Sequence, residues 1–357
     1  MIDPSPCFRG AALMPDAADA SRAPRWSVDL PDLTGRRAVV TGASDGVGAE
    51  IARGLARAGA EVIMPVRSKA KGERVIAGIR EDDPAASLSL RSLDLSSLAS
   101  SRALSRQLRA EGVPVDILVL NAGVIRLKDR VRHVTADGIE LHLQTNALGH
   151  ALLVADLLPL LRARGARVVA QCSLATRRAA IPWRDVNLER GYRPMRAYGA
   201  SKAALGLFAV ELARRSAAGG WGVTSLLCHP GTAMTNIAPA DSPLRRGLVG
   251  RLAQALYERG IGLQSPAEAA LPALYAATSP HAHSGDMVVP SGMFEIAGAP
   301  ALREPYRALT GRAEAARVWD LVTELTGAHF PDAGGASDQA TPNSGGNTNP
   351  TPSTQPA

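Results

Sequence analysis

The sequence predicts an α/β protein: a doubly wound parallel sheet of about seven strands, forming a single domain between two disordered tails. Three observations predict it. Short apolar runs alternate with stretches of helical period from about residue 36 to residue 290. Within the runs successive positions are apolar, as strands covered on both faces require. Each run is followed by a helical stretch long enough to return the chain to the same sheet edge, the pattern of a parallel sheet.

The elements follow in order. RRAVVT is a strand and GVGAEIARGLARAG a helix; EVIMPV leads to KAKGERVIAGIR, and LSLRSLDL to SLASSRALSRQLRA. VDILVLNAG is the fourth strand, followed by a long helical stretch, LHLQTNALGHALLVADLLPLL, whose apolar run at 151–161, interrupted by Asp156 and Pro159, reads as a buried helix and its end. ARVVAQCS, the helix carrying Tyr198, WGVTSLLCHPG and GDMVVP complete the sheet, with further helices at 246–259, 266–277 and 313–325. Residues 1–25 are rich in Pro, Ala and Asp without periodicity and read as a flexible extension; 26–330 form the domain; 331–357 have almost nothing to bury and read as disordered.

Composition narrows the function classes. The chain is 46% hydrophobic and 20% charged, that of a globular protein with a sizeable core. A net charge of +7 invites a nucleic-acid reading, but the cations are scattered along the sequence and no aromatic-rich basic segment offers a stacking platform, so no nucleic-acid partner is expected. Cys7, Cys172 and Cys228 fit neither a disulfide framework nor a zinc site, and no metal is expected. The longest apolar run is too short to span a bilayer, and the N-terminal region lacks a leader's basic start and apolar stretch, so the expectation is a cytoplasmic protein with no membrane span.

After the first strand, TGASDGVG places Gly42, Gly46 and Gly48 directly before a helix. Such a turn uses positive φ, lets backbone approach phosphates, and aims the positive end of the helix at them, which suits a dinucleotide in a Rossmann-type sheet. An NAD-binding version places an acid at the end of the second strand to hold the ribose 2′-hydroxyl. Here Arg67 stands there, with Lys69 and Lys71 nearby, which suits a 2′-phosphate; NADP(H) is expected over NAD(H).

With these motifs the sequence resembles the short-chain dehydrogenase/reductase family over residues 26–330. The pieces occur in order: the turn Thr41–Gly48, Asp94, Asn121-Ala122-Gly123, Asn146, Ser173, Tyr198 with Lys202, and Pro230–Thr235. Trp26 with DLPDLTGRRAVVTGAS, TADGIELHLQTNALGH and LPALYAATSP resemble the retinol-dehydrogenase-like and protochlorophyllide-reductase-like branch. The resemblance implies cofactor contacts from Thr41, Gly42, Ser44, Asp45, Gly46, Val47, Gly48, Arg67, Asp94 and Leu95, from Asn121, Ala122 and Gly123, from Tyr198 and Lys202, and from Pro230, Gly231, Thr232 and Thr235. It also implies a homo-oligomer, although the extended ends leave a monomer as the alternative.

Chemistry agrees with the resemblance. Only four of forty cations are lysines, and one of them, Lys202, lies four residues after Tyr198, on the same helix face. A carbonyl that accepts a hydride needs a proton; a tyrosine supplies it when an adjacent ammonium lowers its pKa, the role the resemblance implies for Lys202 together with binding the nicotinamide ribose. Ser173 ends a strand, where its hydroxyl can hold the carbonyl oxygen; Cys172, in place of the family's usual first serine, reads as a small packed residue. Asn146 is mid-helix, an unfavourable place that suits a helix interruption, and the resemblance implies a water relay from it to Lys202. His142 and His150 flank Asn146, and with no carboxylate to complete a set they read as core or surface residues; His229 reads as structural.

The expected activity is therefore reversible NADP(H)-dependent interconversion of a ketone or aldehyde with an alcohol, on an apolar small molecule. Its choice would lie in residues 176–195 and in a lid at about 236–264. Two alternatives remain: a regulator that binds NADP(H) without turnover, and a C=C reductase on the same fold, which would not need Ser173.

Overall fold

Along the central strands, successive side chains enter two different cores. In β1 (Arg37–Val40), Val39 joins one hydrophobic cluster while Ala38 and Val40 join the other. In β4 (Ile117–Leu120), Leu118 and Leu120 oppose Ile117 and Val119, and in β5 (Arg167–Gln171) Val168 and Ala170 oppose Val169. Burial on both faces is why these segments are apolar at every position instead of at every second one.

The computed structural model describes residues 24–232 and 264–331. The remaining strands are β2 (Glu61–Val66), β3 (Leu88–Ser92), β6 (Thr224–Cys228), β7 (Met287–Pro290) and β8 (Pro300–Arg303). They form one sheet in the order β3-β2-β1-β4-β5-β6-β7-β8. β1 to β7 are parallel, and β8 pairs antiparallel to β7 with Leu302 opposite Val288. β8 is one strand more than the sequence predicts: PALR is short, starts with proline and is only partly buried, so it has the form of an edge strand and no strand periodicity.

Helices α3 (Leu98–Glu111), α4 (Gly149–Arg162), α5 (Pro194–Gly219) and α7 (Arg312–Thr326) cover one face; α1 (Gly46–Arg57), α2 (Lys69–Asp82) and α6 (Pro266–Thr278) cover the other. α7 is fixed by aromatic contacts, Trp319 lying 5.3 Å from Phe208 on α5 and 4.0 Å from Phe330. α6 starts with a reciprocal cap between Ser265 and Glu268, and the Glu268 carboxylate also takes Arg25 at 2.8 Å.

The helical stretch before β5 has two particular features. α4 runs through Pro159 to Arg162, because Leu157, Leu158 and Leu161 are buried in the core and hold the last turn, where the proline forfeits only one hydrogen bond. Before α4, the short turn Leu141–Leu143 passes into a π-helical turn, Gln144–Leu148, so the interruption expected at Asn146 takes the form of one wide turn. The expected helix at 246–259, the lid apart from Gln264, Thr235, and the two tails apart from Pro24, Arg25 and Pro331 lie outside the described residues. No described helix is long and apolar enough to cross a membrane.

Candidate active site

β1 has β2 on one side and β4 on the other, so the chain leaves their carboxyl ends in opposite directions and opens a crevice there. The glycine turn occupies the β1 side. Gly42 and Gly46 have φ of 69° and 53°, conformations that side chains disfavour. A Cβ on Gly42 would come within 2.8 Å of the Ala122 backbone, and one on Gly48 would overlap the Gly42 carbonyl and the Asn121 amide. These two glycines keep the turn thin. No acid lies within the first turn of α1, Asp45 standing before it as the N-cap, and the thin turn at the helix start fits a pyrophosphate.

The Asn121 side chain stitches this turn to β4 and β5. Its Nδ2 donates to the Thr41 carbonyl at 2.8 Å, and its Oδ1 accepts from Gln171 Nε2 at 2.7 Å. Arg67 is exposed at the end of β2 and forms no ion pair among the described residues, while Lys69 pairs with Glu73 at 3.6 Å. Asp94 uses Oδ1 locally, accepting from the Ser96 amide at 2.9 Å and its hydroxyl at 2.6 Å, and Leu95 is buried beside Gly149. Asp94 thus closes the turn into α3.

Across the crevice the four proposed catalytic side chains come together. Ser173 caps a short 3-10 turn, Leu174–Arg178, its hydroxyl accepting from the Ala175 amide at 3.2 Å, and that hydroxyl lies near enough to the Tyr198 phenol to favour its ionised form. Burial holds that phenol above its usual value, and the nearby Ser173 hydroxyl draws it back. The Lys202 Nζ donates to the Gln171 carbonyl at 2.8 Å. Burial pushes Lys202 itself down to about 8. A Cβ on Gly123 would lie 3.2 Å from Asn146 Oδ1 and 3.4 Å from Lys202 Nζ, so the Asn121–Gly123 turn, Asn146 and Lys202 share one wall.

Asn146 is clamped. Its Oδ1 accepts from the Val124 amide at 2.7 Å, and its Nδ2 donates to the Val124 carbonyl at 3.1 Å and to Ser201 Oγ at 2.9 Å. Ser201 in turn donates to the Tyr198 carbonyl at 2.8 Å. Pro230 and Gly231 follow β6. Gly231 has φ of 69°, and a Cβ there would overlap the Ile296 carbonyl, which also accepts from the Thr232 amide at 2.8 Å. His229 accepts from the Gly231 amide at 2.9 Å and stays neutral, burial lowering it to about 4, in keeping with a structural role. Cys172 is buried in the core, its thiol pushed up to about 12 by desolvation.

Sequence reasoning missed several members. Gln171 joins Asn121 to Lys202; a polar residue at the end of an otherwise apolar strand was the available signal. A carboxylate does stand by His142: Glu140, at 2.8 Å, with the Tyr192 hydroxyl 3.3 Å from both. The His142 ring meets Tyr198 edge-on, 6.4 Å between centroids. The two histidines nevertheless face different partners, and no group of three metal-ligating side chains exists among the described residues.

His150 is the other omission. Its Nδ1 donates to the Asn146 carbonyl at 3.3 Å, leaving Nε2 to accept from the Thr41 hydroxyl at 3.0 Å; that hydroxyl accepts from the Asn121 and Ala122 amides, each at 3.0 Å. Burial, reinforced by the Lys202 charge, pushes His150 down to about 3, so the unfolded chain binds a proton that the folded chain refuses. Its stabilisation is intact above pH about 6.5 and is lost as pH falls toward 3, at up to about 1.4 kcal/mol per pH unit. His150→Gln should flatten the acid limb of the stability curve by nearly that slope between about pH 6 and 4, read by urea unfolding. An unchanged slope would mean that His150 is not the neutral buried group described.

The comparisons with known proteins follow the same outline. Residues 36–243 match the family model for short chain dehydrogenases. A polyprenol dehydrogenase of Mus musculus is 36% identical over 320 residues, covering 86% of this chain and 89% of the relative. Retinol dehydrogenase 12 of Homo sapiens is 40% identical over 221 residues, covering 62% and 67%. Among solved structures, an uncharacterized protein from Mycobacterium paratuberculosis superposes with a TM-score of 0.66 at 33% identity, covering 85% of this chain and 97% of that one. A short chain dehydrogenase from Burkholderia cenocepacia J2315 in complex with NADP superposes at 0.52 with 30% identity, covering 69% and 92%.

Proposed function

The chain belongs to the short-chain dehydrogenase family, and from that premise we propose that it is an NADP(H)-dependent oxidoreductase interconverting a ketone or aldehyde with its alcohol, with Tyr198 exchanging the proton. The observation that carries this reading is the convergence of Ser173, Tyr198, Lys202 and Asn146 on the crevice that the glycine turn borders.

The dinucleotide would be held by the Thr41–Gly48 turn, by Asn121–Gly123 and by Lys202, and when bound it supplies or accepts the hydride. The residues handle the rest. Tyr198 keeps its proton at neutral pH and can release it to a carbonyl oxygen as charge develops there. Ser173, whose hydroxyl lies near that phenol, is placed to hold the same oxygen. Lys202, lowered to about 8, lies close enough to neutrality to pass a proton inward, and the clamp on Asn146 fixes the wall beside it. The relatives named for polyprenol and retinol support a long apolar alcohol or its carbonyl as substrate.

The choice of NADP(H) rests on Arg67, which is exposed and without an ion-pair partner among the described residues, and the NADP-bound relative supports it. The test is oxidation of NADPH and NADH by the purified protein over a panel of aldehydes, ketones and quinones. The ratio of kcat/KM values should favour NADPH and fall by about 10- to 100-fold in Arg67→Glu. A ratio below one in the parent protein would contradict the 2′-phosphate assignment. Tight NADPH binding without turnover on any compound would favour the regulator.

A further inference from the structure

The net charge of +7 is not spread over the fold. Segments 124–134, after β4, and 174–196, after β5, together hold ten lysines and arginines and three acids, an excess equal to that of the whole chain. Both segments leave the carboxyl edge of the sheet, the edge that carries Ser173, and they are tied together: Arg132 Nε donates to the Asn187 carbonyl, and the Glu140 amide to Asn187 Oδ1, each at 2.7 Å. The segment after β7 joins them through Arg177, which lies 3.7 Å from Glu295. Arg130, Arg178, Arg184, Arg190, Arg193 and Arg196 are all exposed and form no ion pair among the described residues. Two of the three acids are occupied locally, Asp129 by His133 at 2.6 Å and Asp185 by the Glu189 and Arg190 amides at 2.8 and 2.9 Å.

The same edge carries the exposed apolar side chains. Of the seven large hydrophobics exposed among the described residues, Leu127, Val131, Val134, Met195, Met293 and Phe294 belong to these three segments; only Val113 lies elsewhere. Phe294 and Glu295 are held at φ of 57° and 59°, so the Met293–Phe294 tip is kept outward by a backbone that non-glycine residues avoid. Guanidinium groups around aliphatic tips match the interface of a bilayer bearing anionic headgroups, where the cations meet phosphate and the tips enter the acyl boundary. They match single-stranded nucleic acid poorly, since only Phe294 among these side chains has a face on which a base can stack.

We propose that this edge is a docking surface for an anionic lipid bilayer, on which the protein lies with its catalytic crevice toward the membrane. The proposal concerns binding and does not require the reductase reading. The test is flotation of the full chain with large unilamellar vesicles of phosphatidylcholine alone, or with about one-third phosphatidylglycerol. The protein should partition onto the anionic vesicles at physiological salt and about tenfold less, or worse, onto phosphatidylcholine. Arg130→Glu/Arg178→Glu/Arg190→Glu should lose about tenfold or more of that partitioning. Leu127→Ser/Val131→Ser/Met293→Ser should lose a similar factor and leave a remainder that about 0.5 M salt removes. All six sites are exposed, so both variants should melt like the parent. Absence of anionic-vesicle binding, binding that both variants retain, or tighter binding to duplex DNA together with an unaffected apolar variant would overturn the proposal.

Discussion

Tyr198→Phe should lower kcat by about 10²- to 10⁴-fold while leaving NADPH affinity within about twofold of the parent. The substitution removes one oxygen and keeps the ring, so the edge-on contact with His142 survives. What disappears is the hydroxyl beside Ser173, the proposed donor to the reacting oxygen. Lys202→Met makes the contrast: it removes the ammonium from the Gln171 carbonyl and from the wall beside Gly123, so turnover and cofactor affinity should fall together. Stopped-flow binding beside steady-state kinetics separates the two. A Tyr198→Phe enzyme within about threefold of the parent would remove the phenol from the proton path.

Gly48→Ala should weaken NADPH binding by about 10- to 100-fold and lower Tm by a few degrees. Its Cβ would overlap the Gly42 carbonyl and the Asn121 amide, and neither can yield cheaply. Asn121 is bonded on both sides, to Thr41 and to Gln171, and Gln171 holds Lys202, so displacement at the glycine turn reaches Lys202. Gly112→Ala is the control. Gly112 ends α3 with φ of 68° and open space around it, so an alanine there should cost stability, about 1 kcal/mol, without touching NADPH affinity. Equal effects of the two substitutions on affinity would show that general destabilisation, not the shape of the turn, was being read.

The parts of this account legible in the sequence are those that local spacing encodes. Unbroken apolar runs announced strands buried on two faces; glycine placement announced the turn; the Tyr198–Lys202 spacing placed two side chains on one face of α5. Interactions between distant residues were not legible. Thr41 and His150 are 109 positions apart, and nothing in GHALLVADLL distinguishes a histidine that supports the cofactor turn from any other buried one. β8 gains its identity only by pairing with β7. Asp94 reads as a cofactor contact from its place after the third strand, yet one of its oxygens is spent on Ser96. The cations that look scattered along the chain are gathered because two segments leave neighbouring parallel strands at the same edge.

The central claim is that Tyr198 and its neighbours serve hydride transfer between a nicotinamide and a carbonyl. The most direct measurement follows deuterium from NADPH labelled at both C4 positions into the products of the carbonyl panel, by mass spectrometry, for the parent protein and Tyr198→Phe. The account predicts an alcohol carrying one deuterium on the carbinol carbon, formed by the parent and nearly absent with the variant. An alcohol without deuterium, deuterium on a carbon next to the carbonyl, or equal yields from the two proteins would contradict it.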